Sequence, residues 1–129
     1  ASDILSKQYK PTNSQTKDLS LMKHEVFKFK NFFLGKSLDA KLFGEMLTNQ
    51  WKLKKKVNSN VTNLKISNIF DECIKLGSYG GKLLGAGNGG FFLIMCNSKT
   101  RKKIEKFIGK KNLINFSFEK NGTHVTHIS

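Results

Sequence analysis

Along the chain, apolar residues first recur at helical spacing and then, beyond Gly77, gather into short blocks punctuated by glycine. Leu19, Met22, Val26, Phe29 and Phe33 step by three and four, which puts them on one stripe of a helix that begins near Thr16 and is closed by Gly35. A second helix is expected from Ser37 or Asp39, with Leu38, Leu42, Phe43, Met46, Leu47 and Leu53 inward and Trp51 on a flank. The connection between the two is short enough for an antiparallel helical hairpin. Val57 to Asn63 reads as a polar loop. Ile66, Ile69, Phe70, Cys73 and Ile74 then mark a third helix, capped by Thr62 or Asn63 and ended at Gly77. Ahead of all of these, Ser2 to Lys10 reads as a short helix stopped by Pro11.

After Gly77 the period changes. Lys82 to Ala86 and Gly90 to Cys96 are short and apolar, as buried strands are. Ser98 is placed to cap a helix reaching about Gly109, with Ile104, Phe107 and Ile108 inward. Leu113 to Phe118 alternates like a half-buried strand, Asn121-Gly122 is a hairpin signal, and Thr123 to Ile128 returns as a last strand. The order is helices first, then strand, turn, strand, helix, strand, turn, strand. It predicts an α+β domain whose small sheet buries one face on helices.

At 129 residues with 11 Phe, the chain has the material for one domain and one core. No apolar run approaches the ~20 residues of a membrane helix. Ala1-Ser2-Asp3-Ile4 lacks the basic and apolar regions of a signal peptide, so a cytoplasmic location is expected. Cys73 and Cys96 sit among apolar neighbours and read as reduced core thiols, with a disulfide between them left open.

Charge adds a second kind of information. The net value is +14, from 23 basic and 9 acidic residues, a balance that attracts nucleic acid, anionic membrane or phosphorylated ligands. Arg101 is the only arginine, which weakens base readout by guanidinium forks. The lysines gather at Lys52 to Lys56 and between Lys99 and Lys111. Both groups read first as solvated helix surface and second as a phosphate-attracting field.

Catalytic constellations are scarce. His124 and His127 point to opposite faces of a regular strand, His24 lies within a helix, and no metal site is expected from them. Asp71 and Glu72 diverge by about 100° on a helix and form no carboxylate pair. The concentrated feature is Gly80 to Gly90, which holds six of the 11 glycines. It is either a tight hairpin turn or a loop whose free N–H groups face an anion. It lacks the helix that follows a dinucleotide-binding fingerprint and the Gly-Lys-Ser/Thr ending of a Walker loop.

The run Lys82-Leu83-Leu84-Gly85-Ala86-Gly87-Asn88-Gly89-Gly90-Phe91 resembles the third motif of the galactokinase, homoserine kinase, mevalonate kinase and phosphomevalonate kinase (GHMP) superfamily. Gly85, Ala86, Gly87, Gly89 and Gly90 match its Gly-Ala-Gly-x-Gly-Gly core, and Asn88 stands where the superfamily varies. Other segments resemble the sugar-1-kinase branch in register. They are Ala1-Ser2-Asp3-Ile4-Leu5, Trp51-Lys52-Leu53-Lys54, Val61-Thr62-Asn63 with Ile66 and Ile69, Gly77 with Gly80 to Leu83, and Phe116-x-Phe118-Glu119 with Gly122.

The resemblance implies that residues 1–129 are a GHMP kinase C-terminal domain, ferredoxin-like, with a helical N-terminal part. The family's first central strand would precede Ala1 and is absent here. It also implies that the ATP loop (Pro-x-x-x-Gly-Leu-Gly-Ser-Ser) and the catalytic aspartate belong to an N-terminal domain outside this sequence. The expected reaction of the whole enzyme is transfer of the ATP γ-phosphoryl, with Mg²⁺, to the anomeric oxygen of heptose 7-phosphate; fucose or another sugar is the alternative acceptor. No catalytic residue is expected in this chain, which alone should be inactive.

The part implied for it is to set the Gly85 to Gly90 turn beneath the phosphate loop of its N-terminal half. Lys82 is the candidate phosphate contact, or else a strand-end lysine in solvent. Exposed strand edges would invite dimerisation, and the chain is expected to be one piece of a larger polypeptide or a proteolytic remnant. Two other classes compete: a basic module binding nucleic acid or phosphate, and a non-catalytic scaffold used for oligomerisation. In the first, only one of the neighbours Phe91 and Phe92 faces outward, and Phe116 and Phe118 share a face read as core.

Overall fold

The computed structural model describes residues 13–35, 37 and 39–117, which fold into four α-helices and one two-stranded antiparallel sheet. The α+β class read from the apolar spacing is the class observed. Helix α1 (Asn13–Leu34) and helix α2 (Ala40–Val57) form the hairpin. Asp39 opens α2 by accepting hydrogen bonds from the Lys41 and Leu42 amides at 2.8 and 3.1 Å. Phe32 stacks on Phe43 with ring centroids 5.4 Å apart, and the Gln50 Nε2 donates to the Met22 carbonyl at 3.4 Å. Contacts that pair later α1 residues with earlier α2 residues mean that the two helices run antiparallel.

The face of α1 that meets α2 is turned one position from the expected stripe. Met22, Glu25, Phe29 and Phe32 point inward, while Val26 is 60% and Phe33 54% exposed. Phe33 still reaches Phe43 edge-on at 5.5 Å. Glu25 is the polar member of the inward face and pairs with Lys28 at 2.5 Å.

After α2 comes a 3-10 turn at Ser59–Val61, then helix α3 (Leu64–Lys75). The expected polar loop here is in fact core: Val57 is buried and Val61 is fully so. Of the two candidate caps for α3, Asn63 serves, its Oδ1 accepting from the Ile66 amide at 3.0 Å. Strand β1 (Gly80–Leu83) pairs with strand β2 (Phe92–Met95) in a register that sets Gly80 against Met95 and Leu83 against Phe92. β1 starts two residues before its expected place, so Gly80 and Gly81 are ladder residues. The reason lies in α2. A Cβ on Gly44 would come within 2.7 Å of the Tyr79 backbone, so helix and strand cross almost in backbone contact. The Thr48 hydroxyl fastens the crossing by accepting from the Gly81 amide at 3.0 Å.

Trp51, Val61, Ile66, Phe70 and Leu83 make the core cluster, with Phe92 and Ile94 packed against it. Trp51, expected on a flank, is 1% exposed and stands at its centre. Helix α4 (Ser98–Ile108) is capped by Asn97 and not by Ser98, through a 2.8 Å bond from the Thr100 amide.

Of the strand expected from Leu113 to Phe118, the described part does not continue the sheet. Residues 113–117 take no strand, β2 pairs with β1 alone among the described residues, and Ile114 and Phe116 are more than half exposed. Within this segment the Leu113 amide donates to the Lys110 carbonyl at 3.1 Å, and Asn115 accepts from the Arg101 guanidinium at 2.7 Å. The helix expected at Ser2 to Lys10, Leu38, Phe118, the Asn121-Gly122 hairpin, the last strand and its histidines lie outside the described residues. No helix among the described residues is long and apolar enough to cross a membrane.

Candidate functional site

β1 carries Lys82 and Leu83 to the loop in opposite senses. Leu83 is 1% exposed and enters the core, so Lys82, its neighbour on a pleated strand, faces the other way and is half-buried. The hairpin closes where the Leu84 amide donates to the Phe91 carbonyl at 2.8 Å. Between these two residues lies Gly85 to Gly90, and its backbone is unusual. Gly87, Asn88, Gly89 and Gly90 all have positive φ, with Asn88 at 57°. Four such residues in succession lift the loop out of the sheet and turn its amides away from the ladder.

The loop is strapped to the helical layer at three points. The Asn88 amide donates to the Val61 carbonyl at 2.7 Å. The Asn63 Nδ2 donates to the Asn88 Oδ1 at 2.8 Å, so the residue that caps α3 also holds the loop. On the other flank the Lys54 ammonium, from the last turn of α2, donates to the Gly85 carbonyl. Gly87 is pressed so close to Val61 that a Cβ there would lie 2.6 Å from the Val61 Cα. The two sequence readings of this stretch therefore combine. It is a hairpin turn, held in a shape that leaves the amides of Gly85, Ala86, Gly87, Gly89 and Gly90 without an acceptor among the described residues.

The electrostatics follow from burial. Desolvation holds the Lys54 ammonium below the ordinary lysine range, and the Lys82 charge nearby lowers it further. Burial lowers Lys82 as well. Among the described residues the ion pairs are Lys28–Glu25 and Lys75–Glu72, so no carboxylate offsets the charge beside the loop. Such a site attracts anions and repels cations.

All the residues singled out from the sequence, Lys82 and Gly85 to Gly90, fall together at this one end of the hairpin. Lys54, Asn63 and Val61 were not singled out as loop contacts. Lys54 lay in a run read as solvated surface. The usable signal was its spacing of three from Trp51, which puts it on the inward flank of α2 while Lys52 and Lys56 are exposed. Of the adjacent aromatics, Phe91 is 62% exposed and Phe92 packs on Phe70 at 5.7 Å, so one faces out and one in. Phe116, expected on a core face, is 63% exposed. Cys73 is buried and Cys96 half-buried, both free thiols, and burial raises both pKa values. No group of three or more His, Cys, Asp or Glu gathers among the described residues.

Residues 30–115 match the family model described as GHMP kinases C terminal. The D-glycero-alpha-D-manno-heptose 7-phosphate kinase of Campylobacter jejuni is 30% identical over 86 residues, 65% of this chain and 25% of that protein. The mevalonate kinase of Methanocaldococcus jannaschii is 34% identical over 71 residues, 55% of this chain and 22% of that protein. The chain thus spans about a quarter of the length of these curated relatives.

Proposed function

The chain belongs to the GHMP kinase family, as its C-terminal domain, and from that premise we propose that it is the C-terminal half of an ATP-dependent sugar 1-kinase. The proposed acceptor is D-glycero-D-manno-heptose 7-phosphate, phosphorylated at its anomeric oxygen to the 1,7-bisphosphate. The observation that carries the reading is the strapped glycine loop, with open amides and two half-buried lysines at one edge of the domain. The identity to the heptose 7-phosphate kinase supports the choice of acceptor.

In this reading Gly85 to Gly90 forms the floor of the cleft between the two halves, beneath the phosphate loop of the N-terminal domain. Phosphoryl transfer depends mostly on positioning and charge stabilisation, and a rigid floor with a positive rim supplies both. Lys82 contacts a phosphate. Mg²⁺ enters with ATP and is held chiefly by the N-terminal domain. This half alone turns over nothing, because the base and the ATP loop lie elsewhere.

The test is an ATP-consumption assay on the full-length protein with Mg²⁺ and heptose 7-phosphate, run beside fucose and mevalonate. Mevalonate is included because the archaeal relative is a mevalonate kinase. Preferred turnover of heptose 7-phosphate supports the proposal. Preferred turnover of mevalonate or fucose moves the chain to another member of the family, and ATP consumption with none of them rejects all three acceptors.

A further inference from the structure

We propose that Lys54 and Lys82 together form a phosphate-dianion site at the mouth of the glycine loop, with Lys54 the residue that makes it selective for a phosphorylated ligand. Only the identity of the phosphate's carrier rests on the kinase reading above; the site itself rests on the geometry.

The two lysines approach the glycine loop from different elements. Lys54 stands on the last turn of α2 and Lys82 three residues before Gly85 on β1. The Gly85 carbonyl takes one of the three protons of the Lys54 ammonium and aims the group at the loop. Two donors remain on Lys54, and all three on Lys82 lack an acceptor among the described residues. Each ammonium has lost part of its water to burial, and the Lys82 charge lowers the Lys54 pKa further. Holding two like charges together without a carboxylate costs free energy, and a doubly charged anion between them relieves that cost. A singly charged or neutral ligand relieves less of it. The neighbouring lysines of α2 are placed otherwise: Lys52 and Lys56 are exposed, and the Lys55 ammonium lies 5.7 Å from the Trp51 ring centre. Of these α2 lysines, Lys54 is the one whose ammonium bonds the loop.

Two sources can supply the dianion, the 7-phosphate of the sugar and the phosphates of ATP, and kinetics separate them. The experiment uses the full-length protein with Lys54→Gln, Lys82→Gln and, as a charge-matched control on the same helix, Lys52→Gln. Binding of inorganic phosphate is measured by calorimetry, and KM is measured separately for ATP and for heptose 7-phosphate. Thermal melts verify folding, and Lys54→Arg tests rescue by a second cationic donor.

Lys54→Gln and Lys82→Gln are each expected to weaken inorganic phosphate roughly tenfold or more, the scale of a lost charge-assisted hydrogen bond. Lys52→Gln should leave it near wild type, and Lys54→Arg should restore much of the loss. A rise confined to the KM of heptose 7-phosphate assigns the site to the acceptor, and one confined to the KM of ATP assigns it to the nucleotide. Phosphate binding that depends on Lys54 in a protein that phosphorylates none of the acceptors rejects the kinase reading and leaves the site standing. Equal, small losses in all three glutamine variants, or unchanged KM values for both substrates in an active enzyme, overturn the proposal.

Discussion

The Asn88 amide donates to the Val61 carbonyl at 2.7 Å, and the Gly87 backbone beside it rests directly on Val61. A fully buried residue of the core is thus also the seat of the glycine loop, so loop shape and core packing cannot be changed separately. Among the loop glycines this makes Gly87 the sensitive one. A Cβ at Gly87 meets Val61 at 2.6 Å with φ at 119°, whereas at Gly85 or Gly89 it meets nothing within 4 Å. Gly87→Ala is expected to cost about 2–4 kcal/mol, overpacking and backbone strain together, and Gly89→Ala about half that or less. Chemical denaturation of the two variants checks the order; equal costs would mean that backbone conformation alone governs the loop.

Asn63 serves two structures at once, capping α3 with its Oδ1 and holding Asn88 with its Nδ2. Asn63→Asp keeps the cap and loses the donor to Asn88. It should retain nearly all global stability yet raise hydrogen exchange at the Asn88 amide. Asn63→Ala loses both bonds and should lower stability by about 1–2 kcal/mol. If the aspartate variant exchanged as slowly as wild type, the side-chain strap would contribute nothing to loop order.

Trp51 is the centre of the core, where helical spacing had set it on a flank. Trp51→Ala should cost about 3–5 kcal/mol, as large-to-small changes in a packed core do. Leu42→Ala, at a position the same spacing placed inward but which is 46% exposed, should cost well under 1 kcal/mol. Thermal or denaturant unfolding of the pair decides between the observed core and the expected one.

These two residues show what the sequence made legible. The four described helices, the class and the loop motif could be read, because apolar spacing and clustered glycine are local signals. Which side of a helix faces the core could be read only to within one position. In α1 the apolar residues Leu19, Leu21, Met22, Val26, Phe27, Phe29, Phe32 and Phe33 spread around much of the helix, and the partner decides which of them it covers. Phe43 sits against Phe29, Phe32 and Phe33 together. Val61 looked like part of a polar loop because its neighbours are asparagine, serine and threonine, and only the packed fold reveals it as core. Leu113 to Phe118 had the alternation of a strand, but alternation does not supply a partner, and residues 113–117 pair with no strand among the described residues. The site followed the same rule: Lys82 and the glycines were visible as a motif, whereas Lys54 acts through a carbonyl 31 positions away.

Alkaline pH acts on the site with a defined sign. Lys54 and Lys82 have folded pKa values below the 10.5 of an ordinary lysine. In the window below 10.5 the unfolded chain therefore binds more protons at these two groups, and their contribution to stability rises with pH. Cys73 and Cys96 work in the opposite direction, since their folded values lie above 9.0 and their contribution is lost as pH rises past it. A Lys54→Met, Lys82→Met double variant should accordingly be stabilised relative to wild type near neutral pH, with the gap closing as pH approaches 10.5. Unfolding free energies measured across that range give the test; a gap independent of pH would exclude buried, mutually opposed charges as its cause.

The most direct measurement of the central claim is phosphoryl transfer by the full-length protein, wild type against Gly87→Val, with ATP, Mg²⁺ and heptose 7-phosphate. The β-branched side chain cannot take the Gly87 backbone conformation without strain, and it would displace Val61 beneath the loop. The expected result is transfer to the anomeric oxygen by wild type and a loss of roughly a hundredfold or more in kcat/KM for a variant that still folds, since small misplacements at a phosphoryl site have that effect. Turnover by the folded variant at the wild-type rate, or no transfer to heptose 7-phosphate by wild type, would contradict the account.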